Sequence, residues 1–352
     1  MTVIGVATMR RWLRGSPAIA GALLALSSCS GATAYEQRPT PASTTAPTVP
    51  TSSTVAPGPV FPLTGLPASG PTAARPALSV KIDNVDPARP QSGVNDADIV
   101  FEELVEGGNS RLFAVYQSHD SALVGPVRSA RPVDADLLRA LGGGIFGYSG
   151  AAAGEIAPVK DHSGAILLSE ELNSPGFARD HRRDAPYNLY TSTPALYAAA
   201  GGHPGPPPPF FRYDPHATGT PVREADLPFA KRISSVWRWN ASNQLFERTQ
   251  NASPDVLQDG ATVTATDVVI MSVEIRGTGI FDTVHEEDPL VVVIGSGPCW
   301  VLRDGRLIEG QWQRPTLDSP TRLVTSAGTP ISLQPGRAWV ELLPSSSQPQ
   351  FR

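Results

Sequence analysis

The chain has 352 residues, 17% of them charged, and a formal net charge of −5. That mild negative balance, with no basic stripe interleaved with aromatics, leaves nucleic acid out as a partner. The two cysteines, Cys29 and Cys299, form no CxxC pair. Neither a structural zinc site nor a thioredoxin-like redox site is therefore available.

Arg10, Arg11 and Arg14 precede a short apolar run at 18–26. The run is too short to span a bilayer, which takes about 20 helical residues, and has the size of a signal-peptide core. It ends in Leu26-Ser27-Ser28-Cys29, which resembles the bacterial lipobox. Residues 1–28 therefore read as a lipoprotein signal peptide. Cys29 reads as the lipidated new N-terminus, an acyl (palmitate) anchor at the extracytoplasmic face of the cell membrane. An ordinary secretory signal cut nearby is the alternative, and Arg10-Arg11 leaves both the Sec and the twin-arginine routes open. Residues 29–60, rich in Ser, Thr, Pro and Ala, have too little to bury to offset their chain entropy. They read as a disordered tether, extended by about 3 Å per residue where proline dominates.

The remaining body of about 290 residues suffices for two domains. "ALSVKID" alternates Leu78, Val80 and Ile82 on one face, as a half-buried strand does. "DIVFEELVE" and "RLFAVYQS" form a hairpin about Gly107-Gly108-Asn109-Ser110. "PVDADLLRALGGG" is a helix with acidic residues in its first turn and glycine after its end. "TSTPALYAAAGG" is a second helix, with Thr193 as its cap and Pro194 at its first position. "GGHPGPPPPFF" breaks the chain, because consecutive prolines continue neither a helix nor a central strand. Beyond it, "TDVVIMSVEI" and "PLVVVIG" are strands. "CWVLRDGRLIEGQW" is a hairpin about Asp304-Gly305, and "ISLQPGRAWVELL" a further pair about a Pro-Gly turn. Cys299, in "GPCWVL", reads as a buried inert thiol. The predicted class is α+β: a mixed α/β domain at 61–202, a Pro-rich linker at 203–228 and a small antiparallel β-domain at 229–345.

"IDN" from Ile82, "ARPQSGVNDADIVFEELVEGG" from Ala88, "GPVRSARP" from Gly125 and "RDAPYNLY" from Arg183 resemble the N-terminal domain of the YerB-like bacterial lipoproteins. "VVVIGSG" and "DGRLIEGQW" resemble that family's C-terminal domain, in the same order. The resemblance implies a lipobox, a tether, a mixed domain and a β-domain, in a family without a known activity. Tyr187 stands where the family pattern often has histidine, which puts in doubt any mechanism needing a histidine there.

Arg128 and Arg131 precede a predicted helix N-terminus, where unpaired N–H groups and the helix dipole favour anions. With Asp83 and Asn84 they are the candidate ligand site, for a cell-wall fragment, a lipid head group or an envelope protein. The competing expectation is structural pairing with Asp134, Asp136, Glu102, Glu103 or Glu106. The same carboxylates, with Asp83 and Asp98, invite a metal reading. Against it, Glu102 and Glu106 share one face of a strand and Glu103 the other, while Arg111 stands across the turn from Glu106. "GYSGA" places Ser149 after a strand and before a helix, as a nucleophile elbow does, with His162 and His181 as possible bases. Alanine at 151 departs from that pattern. The leading expectation is a non-enzymatic binding or assembly module without a cofactor; the alternative is an envelope hydrolase using Ser149 or a carboxylate-held metal.

Overall fold

The computed structural model describes residues 58–202, 205–216, 218–281 and 285–352. The signal, Cys29 and nearly all of the tether lie outside the described residues. The first segment contributes β1 (Leu78–Asp83), β2 (Ile99–Val105), β3 (Asn109–Tyr116), β4 (Ile145–Tyr148) and β5 (Ile166–Ser169). Its helices are α1 (Val133–Ala140), α2 (Ala153–His162) and α3 (Thr193–Ala200). The second segment begins with β6 (Glu224–Ala230), β7 (Ile233–Asn240) and β8 (Leu245–Gln250). It continues with β9 (Asp267–Phe281), β10 (Glu287–Val292), β11 (Gly295–Arg303) and β12 (Arg306–Arg314). It ends with β13 (Arg322–Val324), β14 (Ala338–Pro344) and β15 (Gln350–Phe351). No helix among the described residues is long and apolar enough to cross a membrane.

The fold is α+β and strand-rich. One mixed sheet runs β13–β12–β11–β9–β14–β2–β3–β1–β4–β5, with β10 paired to β9. It takes strands from both segments. β14 lies parallel to β9 on one side and to β2 on the other, with Ala338 opposite both Asp267 and Ile99. The expected antiparallel β-domain is corrected here: β14 is buried along its whole length, and strands buried on both faces suit parallel pairing inside a sheet. The expected strand pair about Pro335-Gly336 is a single strand, because 331–334 run as an irregular segment. The Pro-rich stretch also ends earlier than Pro228. Phe210 and Phe211 are buried against the core, and β6 has begun at Glu224.

Alternate residues of the central strands pack on opposite faces. Phe101, Phe113 and Phe146 meet α1 and α2 through Leu137, Leu138 and Val159. Val80, Ile82, Leu112 and Ala114 face the other way. There they share a core with α3 through Leu196, and with Trp237 and Phe246 of a second sheet ordered β8–β7–β6–β15. The main sheet is thus a middle layer. Consequently β1 is buried at all six positions, not half-buried as its alternation predicts. Its polar residues Ser79, Lys81 and Asp83 face the helices rather than water.

The β2–β3 hairpin and the β11–β12 hairpin match the sequence, with Asp304 and Gly305 both at positive φ (49° and 64°), as a type I′ turn requires. At α3 the cap is Ser192, whose hydroxyl accepts the Ala195 N–H; Thr193 Oγ1 instead accepts the Ser121 N–H. Cys299 is buried in β11, and desolvation pushes its thiol pKa up to about 12.

Because the two segments share one sheet, they should unfold together. All described helices lie in the first segment and all described tryptophans in the second. Helical ellipticity and tryptophan fluorescence are therefore expected to report one coincident denaturant transition. Two separated transitions would show that the segments hold their own cores.

Candidate ligand-binding site

The segment from Gly125 to Arg131 forms a ribbon over the carboxyl ends of β1 and β4. Asp83 N–H donates to the Pro126 carbonyl (2.9 Å), and Arg128 N–H to the Lys81 carbonyl (2.9 Å). Ser149 N–H donates to the Arg128 carbonyl (2.9 Å), and Ala130 N–H to the Gly150 carbonyl (3.0 Å). On the outer side, Val127 N–H donates to the Leu189 carbonyl at 2.7 Å. The two arginines leave this ribbon in opposite directions.

Arg131 turns inward, its side chain only 5% exposed. It holds Glu106 through two of its three nitrogens, Nε donating to Oε2 at 3.0 Å and Nη2 to Oε1. It also donates to the Ala130 carbonyl (2.7 Å) and to Glu155 Oε2 (3.3 Å). Arg111 donates to the same Glu106 at 2.9 Å, the cross-turn pair expected from sequence. Burial alone would raise the Glu106 pKa, but Arg111 and Arg131 outweigh it and hold the group down at about 2. Asp288 of β10 comes within 3.1 Å of Arg131 Nε, yet neither of its oxygens is aligned for a hydrogen bond. Desolvation, with Glu155 and Glu106 nearby, overcomes that weak pairing and pushes Asp288 up to about 7.

Arg128 turns outward. Its Nε sits 2.8 Å from Asp83 Oδ2, with 24% of the arginine side chain and 1% of the aspartate exposed. The geometry makes this an ion pair rather than an aligned hydrogen bond. Its guanidinium lies 5.8 Å from the centre of the Tyr187 ring, within cation–π range. Among the described residues, no acceptor takes a hydrogen bond from its Nη groups. Arg128 borders a cleft of about 380 Å³ lined also by Ser129, Ser149, Glu170, Glu171 and Arg179. Arg179 is held by Glu170 (Nε to Oε1, 2.7 Å) and Asn188 (2.8 Å). Glu171 accepts the Ala151 N–H at 3.2 Å and Glu155 the Ala152 N–H at 3.0 Å, so acidic side chains occupy the start of α2.

The other two candidate ligand residues lie inside. Asp83 Oδ1 accepts the Asn84 N–H at 2.9 Å. Asn84 Nδ2 donates to Glu102 (3.0 Å) and Ser110 (2.9 Å), while its Oδ1 accepts from Gln91 (2.9 Å). Asn84 is fully buried. The structure therefore brings Arg128 and Asp83 together, with Arg128 alone reaching the cleft.

The acidic block divides differently from its strand pattern. β2 ends at Val105, so Glu106 falls in the turn, where Gly107 takes φ 67°. It joins the Arg111 and Arg131 side, and does not share a face with Glu102. Glu102 pairs at 2.6 Å with Arg248 of β8, and Glu103 pairs with Lys81 at 2.5 Å. The carboxylates diverge to separate cations, and no cluster able to hold a metal forms among the described residues. Among the described residues, Ser149 Oγ meets only Ser129 Oγ, at 3.5 Å. His162 ends the helix that Ser149 precedes, on the order of 15 Å away at 1.5 Å per residue. His181 is exposed and makes no bond to Ser149, so no triad geometry forms. In "RDHRRD", Arg183 donates to the Ala88 carbonyl (2.9 Å) and the Tyr190 hydroxyl (2.5 Å), while Arg182 pairs with Asp180 in solvent.

Sequence reasoning missed Lys81, Arg248 and Glu341. Lys81 looked like the wet face of a strand. Glu341 stands beside Glu102 in register and accepts the Trp237 indole N–H at 2.7 Å. Its signal was a carboxylate inside the otherwise apolar run "AWVELL".

A family profile described as "Protein of unknown function (DUF3048) N-terminal domain" matches residues 63–204, and its "C-terminal domain" companion matches 225–340. "Putative lipoprotein YerB" of Bacillus subtilis (strain 168) is 34% identical over 139 residues, covering 40% of this chain. That alignment spans 42% of the relative's own length. The crystal structure of the YerB protein from Bacillus subtilis superposes with a TM-score of 0.70 over 83% of this chain and 99% of that one. At 23% identity, that likeness concerns the fold.

Two stability measurements check this site. Arg131→Ala leaves Glu106, Glu155 and Asp288 without their shared cation, and should cost about 3–5 kcal/mol in denaturant unfolding. A loss within about 0.5 kcal/mol, as at ordinary surface positions, would contradict the buried network. Asp288 has a folded pKa (about 7) above that of an unfolded aspartate. Its protonated form therefore favours the fold, a contribution present below about pH 4 and lost as pH rises through 7. Asp288→Asn should melt above wild type near pH 8, with the gap closing towards pH 4; a pH-independent gap would refute the assignment.

Proposed function

The chain belongs to the YerB-like family, and from that premise we propose that it is a membrane-anchored envelope lipoprotein whose Arg128 cleft binds an anionic group. The anchor rests on Cys29 after Leu26-Ser27-Ser28 and on the name of the Bacillus relative. The observation that carries the binding site is the Arg128 guanidinium. It is held by buried Asp83 at its Nε and flanked by Tyr187, and Arg128 lines the cleft. A planar fork with two free N–H edges suits a carboxylate or phosphate. The site lies beyond the carboxyl ends of β1 and β4, which run parallel, and α/β sheets commonly bind ligands there. Glu170, Glu171 and the two serines add acceptors and hydroxyls, so the fitting ligand is polar around its anion, as a muropeptide or a phospholipid head group is.

The test is thermal unfolding with carboxylate-bearing muropeptides, with glycerol phosphate and with buffer alone. Binding to the folded state raises Tm. Wild type should rise with one of these probes. Arg128→Lys, which keeps a cation over Asp83 but loses the fork, should stay folded and lose most of that rise. An equal rise in Arg128→Lys would place the ligand elsewhere, and no rise with either probe would end the anion reading.

A further inference from the structure

Lys81, Glu103 and Asp134 form a cluster that the cleft does not use. Their side chains are 0% exposed. Lys81 comes from β1, Glu103 from β2 and Asp134 from the first turn of α1, so three separate elements converge on one amine. Lys81 Nζ stands 2.5 Å from Glu103 Oε1 and 2.5 Å from Asp134 Oδ1, over the Phe113 ring at 5.2 Å. With one cation between two carboxyls and no water contact, full ionisation would bury a net negative charge. Desolvation accordingly raises both acids, Glu103 to about 7. A proton on Glu103, whose Oε2 makes no hydrogen bond, then leaves the triad neutral.

We propose that this cluster is a self-modification site, at which Lys81 Nζ condenses with the Asp134 side-chain carboxyl to form an internal amide cross-link between β1 and α1. The two carboxyls are not equivalent. Asp134 Oδ2 accepts the Arg131 backbone N–H at 2.8 Å. A fixed donor is therefore already in place on the oxygen where charge grows during attack on Cγ. Glu103 Oε2 has no partner, which leaves that carboxyl able to carry a proton.

The step starts from the neutral triad: an ammonium on Lys81, a carboxylate on Asp134, whose two oxygens both accept N–H hydrogen bonds, and a carboxylic acid on Glu103, whose Oε2 is unpartnered. Asp134 Oδ1 takes a proton from the ammonium, and the free amine attacks Asp134 Cγ. The C–N bond forms, and the C–Oδ1 bond breaks as a second amine proton passes to that oxygen through Glu103. One water leaves, one hydrogen stays on the amide nitrogen and one on Glu103, with no oxidant or reductant involved. Proximity replaces a bimolecular encounter, and the dry site denies hydrolysis its second reactant. The product also replaces buried charge with a neutral amide, which removes the desolvation cost of the pair.

Peptide mapping of the full folded chain by mass spectrometry tests this. The expected result is one branched tryptic species joining the Lys81 and Asp134 peptides. Its mass should be lower than their sum by one water, about 18 Da, with no cleavage after Lys81. Glu103→Gln should give the two peptides separately. Asp134→Asn, which would lose ammonia instead of water, should give the same branched species as wild type. Separate peptides from wild type overturn the proposal whatever the variants do. A link that survives in Glu103→Gln overturns the proton-carrying role on which it rests.

Discussion

The structure depends on one constraint: the polar face of its central strands is covered. α1 lies over the side of β1, β2 and β3 that carries Lys81, Asp83, Glu103 and Arg111. None of these reaches water, so each must find a charge or donor within the protein. Lys81 takes Glu103 and Asp134, Arg111 takes Glu106, and Asp83 takes Arg128. The ribbon from 125 to 131 supplies two of the needed cations, and its path over β1 and β4 follows from that. A charge network of this kind does little for net stability compared with an apolar core. It strongly penalises any other register, because a two-residue slip of β1 would leave an isolated charge in the interior.

The other face of the sheet repeats the logic between the two sequence segments. Arg248 of β8 meets Glu102 of β2 and Asp255, and lies 4.9 Å from the centre of the Trp339 ring on β14. Glu341 of β14 accepts the Trp237 indole proton from β7. Burial, with Glu102 alongside, raises Glu341 well above an ordinary carboxyl, so it suits the role of a neutral acid in a tight cluster. These contacts tie the second sheet to the first through specific polar partners. The parallel insertion of β14 between β9 and β2 does the same through backbone bonds. The Pro-rich break at 205–209 is therefore punctuation in the chain, while the fold continues across it.

Local signals were legible where local chemistry decides. The Asp304-Gly305 turn, the acidic first turn of α1 and the β2–β3 hairpin all follow from short-range rules, and the structure has them. What failed depends on layers. Alternation in "ALSVKID" states that its two faces differ, but not that the polar face meets a helix instead of solvent. The pairing of β14 was half visible, since an unbroken run such as "AWVELL" marks a strand covered on both sides. Its two partners come from sequence about 70 and 240 residues away, a separation that short-range patterning does not reach. Arg128 and Arg131 illustrate the limit most clearly. Their spacing makes them look equivalent in sequence, where ligand site and structural pairing compete for both. The ribbon places Arg131 in structural pairing and Arg128 beside the cleft, where ligand binding is proposed.

That division bears on how the cleft works. An isolated surface arginine loses side-chain freedom when it binds an anion, and much of the interaction is spent on ordering it. Arg128 is already ordered, by buried Asp83 at its Nε and by the Tyr187 ring, whose centre lies 5.8 Å from its guanidinium. The same Asp83 lowers the positive potential that an incoming anion meets. For the proposed anion, the arrangement would exchange strength for geometry: a modest attraction, delivered by a fork whose direction is set beforehand. Under the proposed lipid anchor on Cys29, high intrinsic affinity would matter less, because an anchor would confine the protein close to envelope ligands. Fixed direction, combined with the acidic and hydroxyl groups around the cleft, is then what would separate one polar anion from another.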